Sequence, residues 1–294
     1  MTEDELGRED TYERDSNKFF DIIIHEPRSL RGLSGICVGF ERGEWRCARL
    51  SKHLFEYLPE FALNHSELDK YNSHRDAVPM LRKAAKTVYQ TKKFQNRGEF
   101  GELILHVVLK ELFDTIPAIS KIYYKDSAND TVKGFDAVHV VNIDNSLELW
   151  LGEVKFYTDI KRAIYDIVKE LKIHSETDYL RNEFASISNK IDDSWEYAEK
   201  LQKLLHPNTS LDAVFDKTCI PVLLTYDSDV IKDYDTLKYQ YRHKIQEEIR
   251  KHYQVFLKSD LPKDLKIHLF LLPLKSKTEL LEKLQTELEA WQSI

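Results

Sequence analysis

The chain has 294 residues, of which 42% are hydrophobic and 32% charged, with a formal net charge of -7. That length gives ample room for a buried core, in one large domain or two modest ones. No run approaches the roughly 18 apolar residues of a membrane span, and three cysteines (Cys37, Cys47, Cys219) without a C-x-x-C pair argue against a disulfide framework or a zinc cluster, so a reducing cytoplasm is expected.

Residues 1–15 carry seven acids against Arg8 and Arg14 and have no apolar stretch. They read as loosely held chain, not as a signal peptide. FFDIIIHE reads as a strand, and GICVGFERG as a second strand running into a turn. HLFEYLPEFAL predicts a short helix stopped by Pro59, and residues 76–91 have helical composition. Residues 1–90 are accordingly assigned to an N-terminal accessory region and candidate partner contact, ahead of the main domain at 91–294. Between 81 and 98 stand six cations and no acid: Arg82, Lys83, Lys86, Lys92, Lys93 and Arg97. Such a segment is either a solvated face or a grip on a phosphate backbone, for which Lys92, Lys93 and Arg97 are the candidates.

From here the periodicity sharpens. Residues 97–113 place Phe100, Leu103, Ile104, Val107, Val108 and Leu112 on one helical face. ISKIYYK, GFDAVHVVNI and LELWLGEVKFY read as three strands, the last two joined by a turn at 144–146. A helix follows over 158–173, capped by Thr158 or Asp159. Residues 178–205 look helical, and IPVLLTY is apolar enough for a strand covered on both faces. A helix over 234–255, the strand KIHLFLLPL and a helix over 277–291 complete the order. The fold class is α/β (α+β), with helices packed on a mixed central sheet.

Asp136, Glu153 and Lys155 carry the chemistry of this pattern. Alternation along a strand puts Glu153 and Lys155 on one face, and a hairpin about residue 145 brings Asp136 within one position of Glu153. Two carboxylates and a lysine amid apolar flanks are costly to desolvate unless a cation compensates. Such a set suits phosphodiester hydrolysis, in which a hard divalent cation activates water and offsets charge. Upstream, Glu99 and Glu102 share a helix face, and Gly98 and Gly101 suggest close backbone approach to the sheet or to a ligand. Glu102 is preferred as an extra ligand, with Glu99 the fallback. His106 reads as a core histidine and His139 as a core or surface one, neither as a ligand.

The set Glu102, Gly134-Phe135-Asp136 and Glu153-Val154-Lys155 resembles the PD-(D/E)xK nuclease superfamily, with Phe135 in place of the motif's proline. Over residues 85–294 the blocks RGEFGELILHVVL, KGFDAVHVV, LELWLGEVKFY and IPVLLTY resemble, more narrowly, the HamA family of Hachiman anti-phage defence. The resemblance implies a restriction-endonuclease-like core that holds Mg2+ (or Mn2+) through Asp136, Glu153, the Val154 carbonyl and Glu102. It also implies a DNA substrate, phosphate contacts from Lys161 and Arg162 at the start of the helix after the third strand (a solvated face being the alternative), a HamB-like helicase partner and activity withheld until that partner engages DNA. No membrane contact and no small-molecule cofactor are expected. The alternatives are a catalytically silent DNA-binding or regulatory subunit of a helicase complex, and a stand-alone restriction-type endonuclease.

Overall fold

A computed structural model of the chain describes residues 18–27, 29–88, 98–120, 134–144 and 146–294. Its centre is a seven-stranded sheet in the order β1-β2-β9-β8-β7-β6-β5. The strands are β1 (Asp21–Glu26), β2 (Arg31–Cys37), β5 (Ile116–Ile119), β6 (Ala137–Ile143), β7 (Ser146–Phe156), β8 (Thr218–Asp227) and β9 (Lys266–Leu274). A small separate ladder pairs β3 (Phe40–Glu41) with β4 (Glu44–Trp45). Strands β2, β9, β8 and β7 run parallel, while β1, β6 and β5 join antiparallel at the two sides. The parallel strands β8 and β9 are buried along almost their whole length, as strands covered on both faces must be. Residues 1–90 thus contribute β1 and β2 to the same sheet as the strands that carry the motif.

Helices cover both faces. One layer holds α1 (Cys47–Glu56), α2 (Leu58–Ala62), α4 (Ala77–Thr87), α5 (Glu99–Phe113) and α12 (Lys277–Ser293), with the short α3 (His65–Leu68) beside it. The other holds α6 (Ile160–His174) against β7 and β8, and α11 (Tyr239–Leu257) against β1 and β2. α7 (Thr177–Ser188) packs on α6, followed by α8 (Ala198–Leu204), α9 (Leu211–Phe215) and α10 (Asp229–Asp233). No described helix is long and apolar enough to cross a membrane.

Three local expectations are corrected. Pro59 does not stop a helix but sits in the first turn of α2, where its missing N–H has no intrahelical acceptor to lose. The β6–β7 register pairs Ile143 with Ser146, so the turn is two residues long, not three, and Asp144 takes the left-handed conformation (φ 47°) that such turns demand. The strand expected in ISKIYYK begins earlier, at Ile116, and residues 121–125 lie outside the described residues. Of the two N-cap candidates for α6, Asp159 fills the role, its Oδ1 accepting the Arg162 N–H at 2.7 Å.

Candidate active site

Strand β7 and helix α6 meet in a matched register. The Tyr157 hydroxyl donates to Asp166 Oδ2 at 3.0 Å, Lys155 Nζ pairs with Glu170 Oε2, and His174 Nδ1 lies 2.5 Å from Glu153 Oε1. Two residues of strand advance about 6.6 Å and four residues of helix about 6 Å, so an i, i+2 series on one meets an i, i+4 series on the other. The odd-numbered residues of this stretch face α6. The even-numbered ones face α5: a Cβ added at Gly152 would come within 2.8 Å of Leu105, and one at Gly101 within 2.8 Å of Phe156 and 3.1 Å of Val154. Gly101 therefore lets α5 lie close on β7, whereas Gly98 has nothing within 4 Å of its would-be Cβ.

Asp136 stands just before β6. Its N–H donates to Gly152 O at 2.7 Å, which carries the ladder one step beyond Ala137–Gly152 and brings it opposite Glu153. Its Oδ2 accepts the Val154 N–H at 2.9 Å, so the carboxylate is pinned at the end of the ladder. A cleft of about 550 Å³ opens there. Glu102, Gly98 and Lys277 line it from the α5 side, Glu170, Ile173, His174 and Tyr179 from the α6 side, and Asp136 and residues 154–157 from the strand ends.

Electrostatics separates these groups. Burial disfavours the Lys155 ammonium, but the bond to Glu170 and the charges of Glu170, Glu153 and Asp136 outweigh it and hold its pKa above the ordinary value. Burial pushes His174 down to about 4, with Asp136 opposing and Lys155 reinforcing the shift. Facing a carboxylate oxygen, Nδ1–H donates to Glu153. Tyr179 stacks on His174 at 4.3 Å, and burial next to Glu183 and Glu153 raises its hydroxyl well above the usual range.

The predicted residues divide. Asp136, Glu102, Val154 and Lys155 share the cleft; Glu99 does not line it. Glu153 is 1% exposed and sits behind the cleft wall, bonded to His174. Lys161 and Arg162 lie exposed on the first turn of α6 outside the cleft lining, with Arg162 5.4 Å over the Tyr157 ring and 3.7 Å from Asp166. Lys92, Lys93 and Arg97 lie outside the described residues. His106 and His139 are core groups: His106 Nδ1 meets His139 Nε2 at 3.1 Å, and Thr115 Oγ1 meets His139 Nδ1 at 2.7 Å. Glu170, His174, Tyr179 and Lys277 escaped the sequence reading. The first two had a signal in Asp166, Glu170 and His174, spaced by four behind an E-x-K-x-Y spaced by two.

Among the described residues, no three His, Cys, Asp or Glu side chains form a ready metal cage. The cleft instead offers hard oxygens from Asp136 and Glu102 beside the Val154 backbone. Such a set fits Mg2+, which takes hard oxygen ligands and keeps several waters.

A search among curated proteins finds no match. A family model for HamA, by contrast, matches residues 14–288, nearly the whole chain. The chain belongs to the HamA family, whose members serve anti-phage defence.

Proposed function

We propose that the protein is a metal-dependent DNA nuclease, the effector of an anti-phage defence complex that works with a HamB-like helicase. The observation that carries this reading is the convergence of Asp136, Glu102, Val154 and Lys155 on one cleft, with Glu153 directly behind its wall.

In this reading Asp136, Glu102 and the Val154 carbonyl would hold Mg2+ from the cleft and Glu153 would join them from behind its wall, with Mn2+ able to substitute. When bound, the ion supplies an acidified water and positive charge opposite the developing phosphorane. Asp136 is fixed by the Val154 N–H and cannot swing out of the cleft without losing that bond. Lys155, kept protonated by Glu170, stabilises negative charge on the attacked phosphate and orients the incoming water. His174 holds Glu153 in place from behind. Lys161 and Arg162, exposed at the start of α6, would meet flanking phosphates, as would Lys92, Lys93 and Arg97.

The test is incubation of the purified chain with plasmid DNA in Mg2+ or Mn2+, alone and with a HamB-like helicase. Wild-type protein should cut, and Asp136→Asn and Lys155→Met should lose on the order of 10²-fold or more. Full cutting by both variants would sink the reading. The engagement of Glu153 by His174 behind the cleft wall favours, as second reading, a silent DNA-binding subunit. Binding without cutting under every condition would select it.

A further inference from the structure

We propose that Lys277 takes a phosphate oxygen of the DNA strand in this cleft, next to the phosphate being cut; the inference rests on the nuclease reading above. Lys277 opens α12 directly after β9. Its backbone is fixed, because its N–H donates to Asp227 Oδ1 at 2.8 Å. Its side chain reaches across to β7 and sets the ammonium 4.7 Å from the centroid of the Phe156 ring, at the cleft. That ring is itself fixed by the close approach of Gly101.

The cleft's two lysines differ in partners. Lys155 is already engaged by Glu170. Among the described residues no carboxylate lies within ion-pair distance of the Lys277 ammonium, which has an aromatic face on one side and the open cleft on the other. Burial lowers its pKa, with Asp227 opposing. A half-desolvated cation without a counter-ion gains when an anion arrives, and a phosphodiester is the anion this cleft would admit. The two cations also flank the end of β7: Lys155 on the α6 side, Lys277 over Phe156 on the α5 side. A strand bound with one phosphate at Asp136 and Lys155 presents a second to Lys277.

The test uses the full chain, a fluorescein-labelled DNA duplex and EDTA to prevent turnover, with anisotropy followed against NaCl. Lys277→Met keeps the aliphatic stem on Phe156, and its thermal midpoint should equal that of wild type. It should bind more weakly, with the slope of log affinity against log salt reduced by about 0.9, the value of one lost phosphate contact. Lys277→Arg should restore the slope. A Lys277→Met protein with wild-type slope and affinity, made from a chain that binds and cuts DNA, overturns this inference alone. A wild-type chain that neither binds nor, in Mg2+, cuts DNA overturns it together with the nuclease reading.

Discussion

Glu153 Oε1 and His174 Nδ1 meet at 2.5 Å in the protein interior, where Glu153 is 1% and His174 7% exposed. A carboxylate so deeply buried needs a donor, and α6 delivers one from the residue that ends it. His174→Ala removes that donor from a buried carboxylate and should cost about 1–3 kcal/mol of stability in chemical denaturation. In DNA cleavage it should raise the Mg2+ concentration for half-maximal activity by about 10–100-fold, as loss of a group orienting a metal ligand does. His174→Gln, which can still donate, should recover part of both. An unchanged metal requirement in His174→Ala would mean that the histidine only packs.

The two glycines that flank the start of α5 should respond differently to a methyl group. Gly101→Ala drives a Cβ to within 2.8 Å of Phe156 and 3.1 Å of Val154. It should lower stability by about 1–3 kcal/mol through overpacking. Gly98→Ala meets nothing within 4 Å and should change stability by less than about 0.5 kcal/mol. Thermal unfolding of the two variants side by side checks the contrast, and equal effects would contradict it.

Acid should weaken the fold before its carboxylates titrate. Burial depresses both His139 and His268 to about 3, with Lys110 adding to the first and His25 and Lys266 to the second. Unfolded, each histidine titrates near 6.5. Their contribution is therefore complete above pH 6.5 and is lost as pH falls from there towards 3, because only the unfolded chain takes up the protons. Each site contributes a slope approaching about 1.4 kcal/mol per pH unit in that window. Denaturant midpoints measured from pH 7 to pH 4.5 should fall steadily, and a flat profile would refute the assignment.

The three thiols should be silent in the native state. Cys37, Cys47 and Cys219 are free and buried, and burial pushes Cys37 and Cys47 up to about 12 and Cys219 higher still. An aromatic disulfide reagent should label none of them in buffer and all three in denaturant. Rapid labelling of the native protein would show that one of these sites opens readily.

Much of this architecture follows from local pattern. The alternation in LELWLGEVKFY puts Glu153 and Lys155 on one face, the turn places Asp136 beside them, and the apolar stripe of 97–113 makes a helix that lies on β6 and β7. These are short-range consequences of a period of two in strands and about 3.6 in helices, which neighbouring residues encode without help. The length of the turn needed more than that, since one residue more or fewer shifts the whole register and only side-chain packing across β6 and β7 decides it.

The amino-acid order alone therefore determined the strand and helix sequence around the motif, the kinship with HamA and the shared face of Glu153 and Lys155. Tertiary structure decided what those groups touch. Glu153 is engaged by His174 behind the cleft wall, Lys155 is held by Glu170, and Lys277 arrives from the far end of the chain because β9 lies beside β8 and β8 beside β7. The physical reason is that a partner's identity depends on which surfaces long-range strand pairing brings together, and no periodicity within one segment specifies that pairing.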